Sequence, residues 1–240
     1  MIAIVRLVLL FCLIILVTAY GLLLCLVLGR SKDRVYYVAK TFAPVAKLFG
    51  LSVSKHVSYK SLDVKQAVYV GNHQNNFDLF TFAHVVPHGV VTVGKSSLRW
   101  LPFFGWLYWA SGNFLIHRHD RDKAIATINE IVANMRETGL SIWMFPEGTR
   151  SRGRGWLPFK RGAFHAAIQA QVPIVPIVCS STHNQVSLNR LNNGSVKVEV
   201  MDPIYTEGLT EHDIPDLVAR CEALMKAKQA EMDEALALER

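Results

Sequence analysis

Residues 7–28 carry no charge: LVLLFCLIILVTAYGLLLCLVL. As a helix, a run of that length reaches across a hydrocarbon core of about 30 Å. Whatever follows must be compatible with a segment that water does not tolerate. A cleavable signal peptide is the rival reading, but its apolar region is shorter and ends in a small-residue cleavage site, and neither feature is present. Arg30, Lys32 and Arg34 follow the run, and Arg6 with the α-amino group precedes it. By the positive-inside bias these charges place the next domain in the cytoplasm. The expected organisation is a membrane anchor with its basic flank over 1–34 and one cytoplasmic domain over 35–240. Spanning the bilayer and inserting deeply into it are both open for the anchor.

The rest of the composition narrows the class. Hydrophobic residues make up 51% of the 240 and charged residues 19%, which excludes a disordered or collagen-like chain. Lys and Arg number 26 against 19 Asp and Glu, a net charge of +7 that suits an anionic partner. Nucleic acid is disfavoured, since there is no zinc-finger spacing and no strand rich in aromatic and basic residues. For a chain held in lipid, acidic headgroups or a phosphorylated substrate fit better. Cys12 and Cys25 lie in the anchor, while Cys179 and Cys221 stand alone. With no CxxC pair, neither a zinc cage nor a disulfide framework is indicated.

Beyond the anchor, β-favouring and helical segments alternate. Residues 66–70, 90–93, 114–117 and 141–145 are short β-favouring runs bounded by turn residues. Residues 172–179 (VPIVPIVC) are almost all apolar, as in a strand buried on both faces. In 195–201 Val196, Val198 and Val200 alternate, the pattern of a half-buried strand. Ala124, Ile128, Ile131 and Met135 recur at helical spacing in 121–137, with Asp120 or Asp122 to cap the start and Gly139 to stop the end. Residues 162–170 and 214–238 read as further helices. Such a mixture predicts a single α/β domain, a mixed β-sheet covered by helices.

The segment Gly71-Asn72-His73-Gln74-Asn75-Asn76-Phe77-Asp78 follows the first of these strands. Five steps of a regular helix rotate about 500°, so His73 and Asp78 converge only with His73 in a loop and Asp78 in the opening turn of a helix. Asp78 would then fix the imidazole tautomer, leaving the other nitrogen to accept a proton from a hydroxyl. A capping loop with a solvated histidine is the plainer alternative. Downstream, Glu147-Gly148-Thr149-Arg150 opens a loop rich in Gly and Arg, continuing through Arg152 and Arg154 to Lys160 and Arg161. Backbone amides and guanidinium forks there suit a phosphate, against the alternative of a mobile basic surface loop. Arg118 closes the run FLIHR, where a structural salt bridge is the commoner role.

Three further features bear on function class. The stretch from Gly89 to Ser96 (GVVTVGKS) matches the P-loop expression, which would make the chain a nucleotide-binding module. Val90-Val91-Thr92-Val93 is β-branched throughout, however, and should itself be a strand. Trp100, Phe103, Phe104, Trp106, Tyr108 and Trp109 crowd one short stretch, and could lie at a membrane interface, in the core or along an acyl tunnel. No G-x-S-x-G elbow is present, so a serine acyl-enzyme lacks its usual setting.

Taken in order, NHQNNFD, the strand ending in Arg118, FPEGTRSRG and the strand bearing Pro173 and Pro176 resemble the glycerolipid acyltransferase family with the H-x-x-x-x-D motif. The similarity runs from about residue 66 to residue 200. It implies His73 as general base and Asp78 as its orienting carboxylate. It further implies that Lys95 contacts phosphate, in K-x-x-L-x-x-x-P-x-x-G through Leu98, Pro102 and Gly105. Arg118, Glu147, Gly148, Thr149 and Arg150 would bind the acyl acceptor, and Pro176 would belong to the acyl-donor region. The implied reaction moves a fatty acyl group from an acyl-acyl carrier protein or acyl-CoA thioester to the sn-2 hydroxyl of lysophosphatidic acid, giving phosphatidic acid. The thioester is a co-substrate; no metal or other cofactor is implied. The implied setting is the cytoplasmic face of the inner membrane. Glycerol 3-phosphate or another lysolipid as acceptor, and a non-catalytic membrane adaptor, are the competing functions.

Overall fold

The computed structural model describes residues 1–239. Seven strands form one sheet: β1 (Ser52–Val57), β2 (Val68–Gly71), β3 (Val90–Lys95), β4 (Phe114–Ile116), β5 (Ser141–Met144), β6 (Ile174–Cys179) and β7 (Ser195–Val200). Their order is β1-β7-β6-β2-β5-β3-β4. The five strands from β6 to β4 run parallel, β7 is antiparallel to β6, and β1 is parallel to β7. The sheet is therefore mixed, as expected. β2 and β6 are buried along their whole length, and β7 buries Val196, Val198 and Val200. β1 was not foreseen, because SVSKHV is a sheet edge with no fully buried residue and so carries no strong pattern.

The main helices are α1 (Ile2–Leu28), α2 (Arg34–Phe42), α3 (Asp78–Thr81), α4 (Phe104–Ala110), α5 (Arg121–Thr138), α6 (Gly162–Ala170) and α7 (Ile214–Leu238). α5 begins where the Asp120 side chain accepts from the Lys123 amide at 3.1 Å, and stops at Gly139 in the left-handed region. It buries Ile128, Ile131, Val132 and Met135. α5, α6 and α7 pack together in sequence, and α1, α2 and α4 form a second group. The residues of the P-loop-like stretch that lie between its glycines are hydrogen-bonded into the sheet as β3. They leave no loop there to cradle a phosphate.

α1 is long and apolar enough to cross a membrane by length and composition. Most of its large side chains are exposed, among them Leu7, Phe11, Leu16, Tyr20, Leu23 and Leu26. Exposure on that scale requires lipid or a partner to cover it. The buried stripe is Arg6, Val17, Thr18, Gly21 and Cys25. Gly21 lies against Leu107, and Cys25 Sγ sits 3.8 Å from Ser111 Oγ. At the other end, Arg6 is only 5% exposed. Its Nη1 donates to the carbonyls of Leu188 (2.8 Å) and Arg190 (2.6 Å), and its Nη2 to that of Leu191 (3.0 Å). Asn189 Oδ1 in turn accepts from the Ala3 amide at 3.0 Å. α1 thus touches the domain near both ends and runs alongside it.

Arg6→Ala should strip the Leu188 and Leu191 carbonyls of their only protein donor among the described residues, while the Arg190 carbonyl keeps Asn193, a loss of about 1–3 kcal/mol that should speed trypsin cleavage after Arg190 about tenfold. Mass spectrometry of timed digests reads the rate, and an unchanged rate would mean that another contact fixes the loop.

Candidate active site

The carboxyl ends of β2, β3, β4, β5 and β6 lie at one edge of the sheet, the usual place for a site in an open α/β fold. His73 follows β2 in a loop, and Asp78 opens α3. Their rings and oxygens converge: His73 Nδ1 lies 2.6 Å from Asp78 Oδ2. The same oxygen accepts from the backbone amides of Gln74 (2.7 Å) and Asn75 (3.1 Å). Asp78 is only 2% exposed, so this charge-assisted cluster forms away from water. The His73 ring also stacks on Phe145 at 4.1 Å with 16° between planes. With Nδ1 held by the carboxylate, Nε2 is left as the free ring nitrogen.

The loop is tied down from both sides. Asn72 bridges to β6, donating to the Cys179 carbonyl and accepting from the Cys179 amide, both at 2.8 Å. Gln74 donates to the Ser180 carbonyl at 2.8 Å and accepts from the Thr182 amide at 2.8 Å. On the other side, the Ser151 and Arg152 amides donate to the carbonyls of His73 (2.8 Å) and Gln74 (2.9 Å). The basic loop after β5 is therefore paired backbone to backbone with the histidine loop.

Glu147 makes that pairing tighter. Its Oε1 accepts from the His73 amide at 2.7 Å and its Oε2 from the Leu157 amide at 3.2 Å. Burial pushes its carboxyl above the ordinary glutamate range, and the two amides pull partly back. With one backbone amide on each oxygen, Glu147 ties the His73 loop to the loop that carries Leu157.

The cations gather around Gly148. Arg118 Nη1 donates to the Gly148 carbonyl at 2.5 Å. Burial holds the Arg118 guanidinium below its usual range, and the positive charge of nearby Arg150 acts the same way. Arg150 Nε is buried with no hydrogen-bond partner among the described residues. Gly148 has φ 69°, and a Cβ there would fall 2.8 Å from Lys160 Cε, so only glycine lets the Lys160 stem cross this point. Lys160 is the residue whose place sequence reading missed, since nothing local says that it folds back over Gly148. Lys95 ends β3, level with Ile116 of β4, and is exposed; Thr149 is exposed too. Pro176 is buried inside β6 opposite Val70, several positions before the strand end. Arg118, the Lys160 stem and Arg150 with its unpartnered buried N–H thus gather at one turn, which Glu147 links to the His73 loop; a cluster of this kind can hold an anion.

Comparison with known proteins gives the family of the chain. The acyltransferase family matches residues 52–180. A 1-acyl-sn-glycerol-3-phosphate acyltransferase of Haemophilus influenzae is 48% identical over 93% of this chain and 93% of its own length. The Escherichia coli protein of the same name is 48% identical over 93% of this chain and 91% of its own. The human alpha form is 36% identical over 82% of this chain and 70% of its own. In fold, the chain matches the crystal structure of a 1-acyl-sn-glycerophosphate acyltransferase from Thermotoga maritima with a TM-score of 0.76, over 96% of this chain and 94% of that one, at 20% identity. With the family match spanning more than half of its length and near-half identity along almost all of it, this chain belongs to the acyltransferase family.

Proposed function

We propose that this chain transfers a fatty acyl group from an acyl-acyl carrier protein or acyl-CoA thioester to the sn-2 hydroxyl of 1-acyl-sn-glycerol 3-phosphate, forming phosphatidic acid. What carries the reading is the placement of a carboxylate-held imidazole beside the Arg118 and Arg150 pair, at the strand ends. The names of the bacterial relatives point to the same acceptor.

The acceptor phosphate would sit against Arg150, with Lys95 and Lys160 adding charge and Arg118 holding the Gly148 turn in place. Its sn-2 hydroxyl would then donate to His73 Nε2. As that oxygen attacks the thioester carbonyl carbon, the proton passes to Nε2, and Asp78 stabilises the imidazolium that forms. Collapse of the tetrahedral intermediate breaks the carbon–sulfur bond. The departing thiolate takes the proton from Nε2, restoring the neutral ring. No step requires an acyl-enzyme, and the thioester carrier is consumed as a co-substrate. The apolar α1 would keep the domain at the inner membrane, with Arg30 and Lys32 favouring its cytoplasmic face.

Purified full-length protein, given lysophosphatidate or glycerol 3-phosphate with an acyl thioester, should form phosphatidate from the first alone, read by mass spectrometry. Product from glycerol 3-phosphate alone would move the assignment to a sister activity. His73→Ala should lower kcat on the order of 10²–10⁴-fold, and activity within threefold of wild type would remove His73 as the base. Glu147→Gln replaces one accepting oxygen by a donor and displaces an amide of the loop, so kcat should fall about 10²-fold with KM for lysophosphatidate unchanged. A rise in that KM alone would instead make Glu147 a substrate ligand. Arg150→Ala should raise the same KM about tenfold or more, as the loss of a charge-assisted contact implies; an unchanged KM would place the phosphate elsewhere.

A further inference from the structure

The aromatic stretch after β3 splits in the structure into two populations. Tyr108 turns inward, its hydroxyl 2.7 Å from Thr92 Oγ1. Trp100, Trp106 and Trp109 face outward, 77%, 57% and 74% exposed. The three exposed indoles do not line the core, and no other described element covers them. Trp106 and Trp109 border an apolar groove of about 530 Å³ between α1 and α4, lined also by Leu22, Arg99 and Leu115, and Trp100 stands beside it against Arg99. Its one charged lining residue is Arg99, whose guanidinium lies 5.2 Å from the Trp100 ring centroid. None of the ion pairs among the described residues engages it.

This surface is continuous with the exposed face of α1. Phe11 packs edge-on to Phe103 at 6.5 Å, and Phe103 to Trp106 at 5.7 Å. Phe103 holds that place at φ 63°, a backbone conformation that costs a bulky residue of order 1–3 kcal/mol. Indoles with an apolar body and a polar N–H belong at the depth of lipid headgroups. A lone unpaired guanidinium at the mouth of an apolar groove adds a requirement for an anion joined to a hydrocarbon chain.

We propose that Arg99, Trp100, Trp106 and Trp109 form a second membrane-binding surface that holds an anionic phospholipid of the bilayer. Its headgroup sits on Arg99, and one chain lies in the groove between α1 and α4. The proposal rests on the reading of α1 as a membrane helix, and adds to it a lipid-selective contact where α1 meets α4.

The test uses full-length protein in vesicles of phosphatidylcholine with phosphatidylglycerol, the brominated chains being carried by one lipid or the other. Flotation reports membrane binding, and quenching of tryptophan fluorescence reports contact. Of the five tryptophans, Trp143 is buried and Trp156 lies after β5, so these two supply the background. Brominated phosphatidylglycerol should quench more than brominated phosphatidylcholine, with about fivefold enrichment, the worth of one arginine near an anionic surface. Trp100→Phe, Trp106→Phe and Trp109→Phe together should remove most of the quenching while the protein still floats. Arg99→Gln should remove the preference between lipids and leave quenching by both. Quenching unchanged in the triple variant, or equal for both lipids in wild type, would overturn the proposal and leave α1 as the membrane helix. Failure to float would overturn both. Insensitivity to bromine, together with a change of oligomeric state in the single Trp109→Phe protein, would assign the face to a second copy of the chain and overturn the lipid assignment. Acyl transfer is measured separately, so failure of the catalytic reading leaves these outcomes readable.

Discussion

Oδ2 of Asp78 accepts from the His73 ring and from two successive backbone amides, and the loop between β2 and α3 has its shape because one buried oxygen gathers all three. A carboxylate so loaded cannot move without breaking several charge-assisted bonds at once. That rigidity fixes where the His73 ring points. It also sets the path of the neighbouring loop, because the carbonyls of His73 and Gln74 receive the amides of Ser151 and Arg152. The His73 loop and the loop that carries Arg150 are therefore registered to each other through main chain, with Glu147 as a cross-tie.

The electrostatics of the site follow from the same framework. Arg118 and Arg150 are close enough to act on each other as like charges. Arg118 also spends one nitrogen on the Gly148 carbonyl, which makes a positive group part of the loop's scaffold. Arg150 keeps a buried N–H with no protein acceptor, which is costly unless an anion takes it. A site built like this stores its unsatisfied polarity where a phosphate would answer it, in keeping with the preorganised charge that acyl and phosphoryl chemistry exploits.

Local sequence carried much of this, for identifiable reasons. The buried strands announce themselves because VYV and IVPIV can go nowhere but the inside, and α5 because Asp120 and Gly139 mark its ends. For His73 and Asp78 the spacing said only how the two could converge and left a capping loop open; the resemblance to the H-x-x-x-x-D pattern supplied the pairing, and the 2.6 Å contact decides it. The strand order was not, since β1 closes against β7 through pairs such as Ser52 with Ser195, which no local pattern encodes. Glu147 illustrates a second limit: its residue type suits a substrate contact or a buried brace equally, and only the directions of its two oxygens decide. The crowded aromatics were ambiguous for a related reason, because composition cannot say which rings of one stretch face in and which face out.

The clasp between Arg6 and the carbonyls of 188–191 has a consequence for how the molecule comes into being. The arginine and its partners lie more than 180 residues apart along the chain, and β1 and β7 are likewise far apart in sequence. Until that loop is in place Arg6 has no carbonyl to hold, and a long side chain can keep such a charge in water. The last strand then brings the loop that receives it. Closure of so distant a contact is slow by nature, and it makes the seating of α1 against the domain depend on a loop on the far side of six intervening strands.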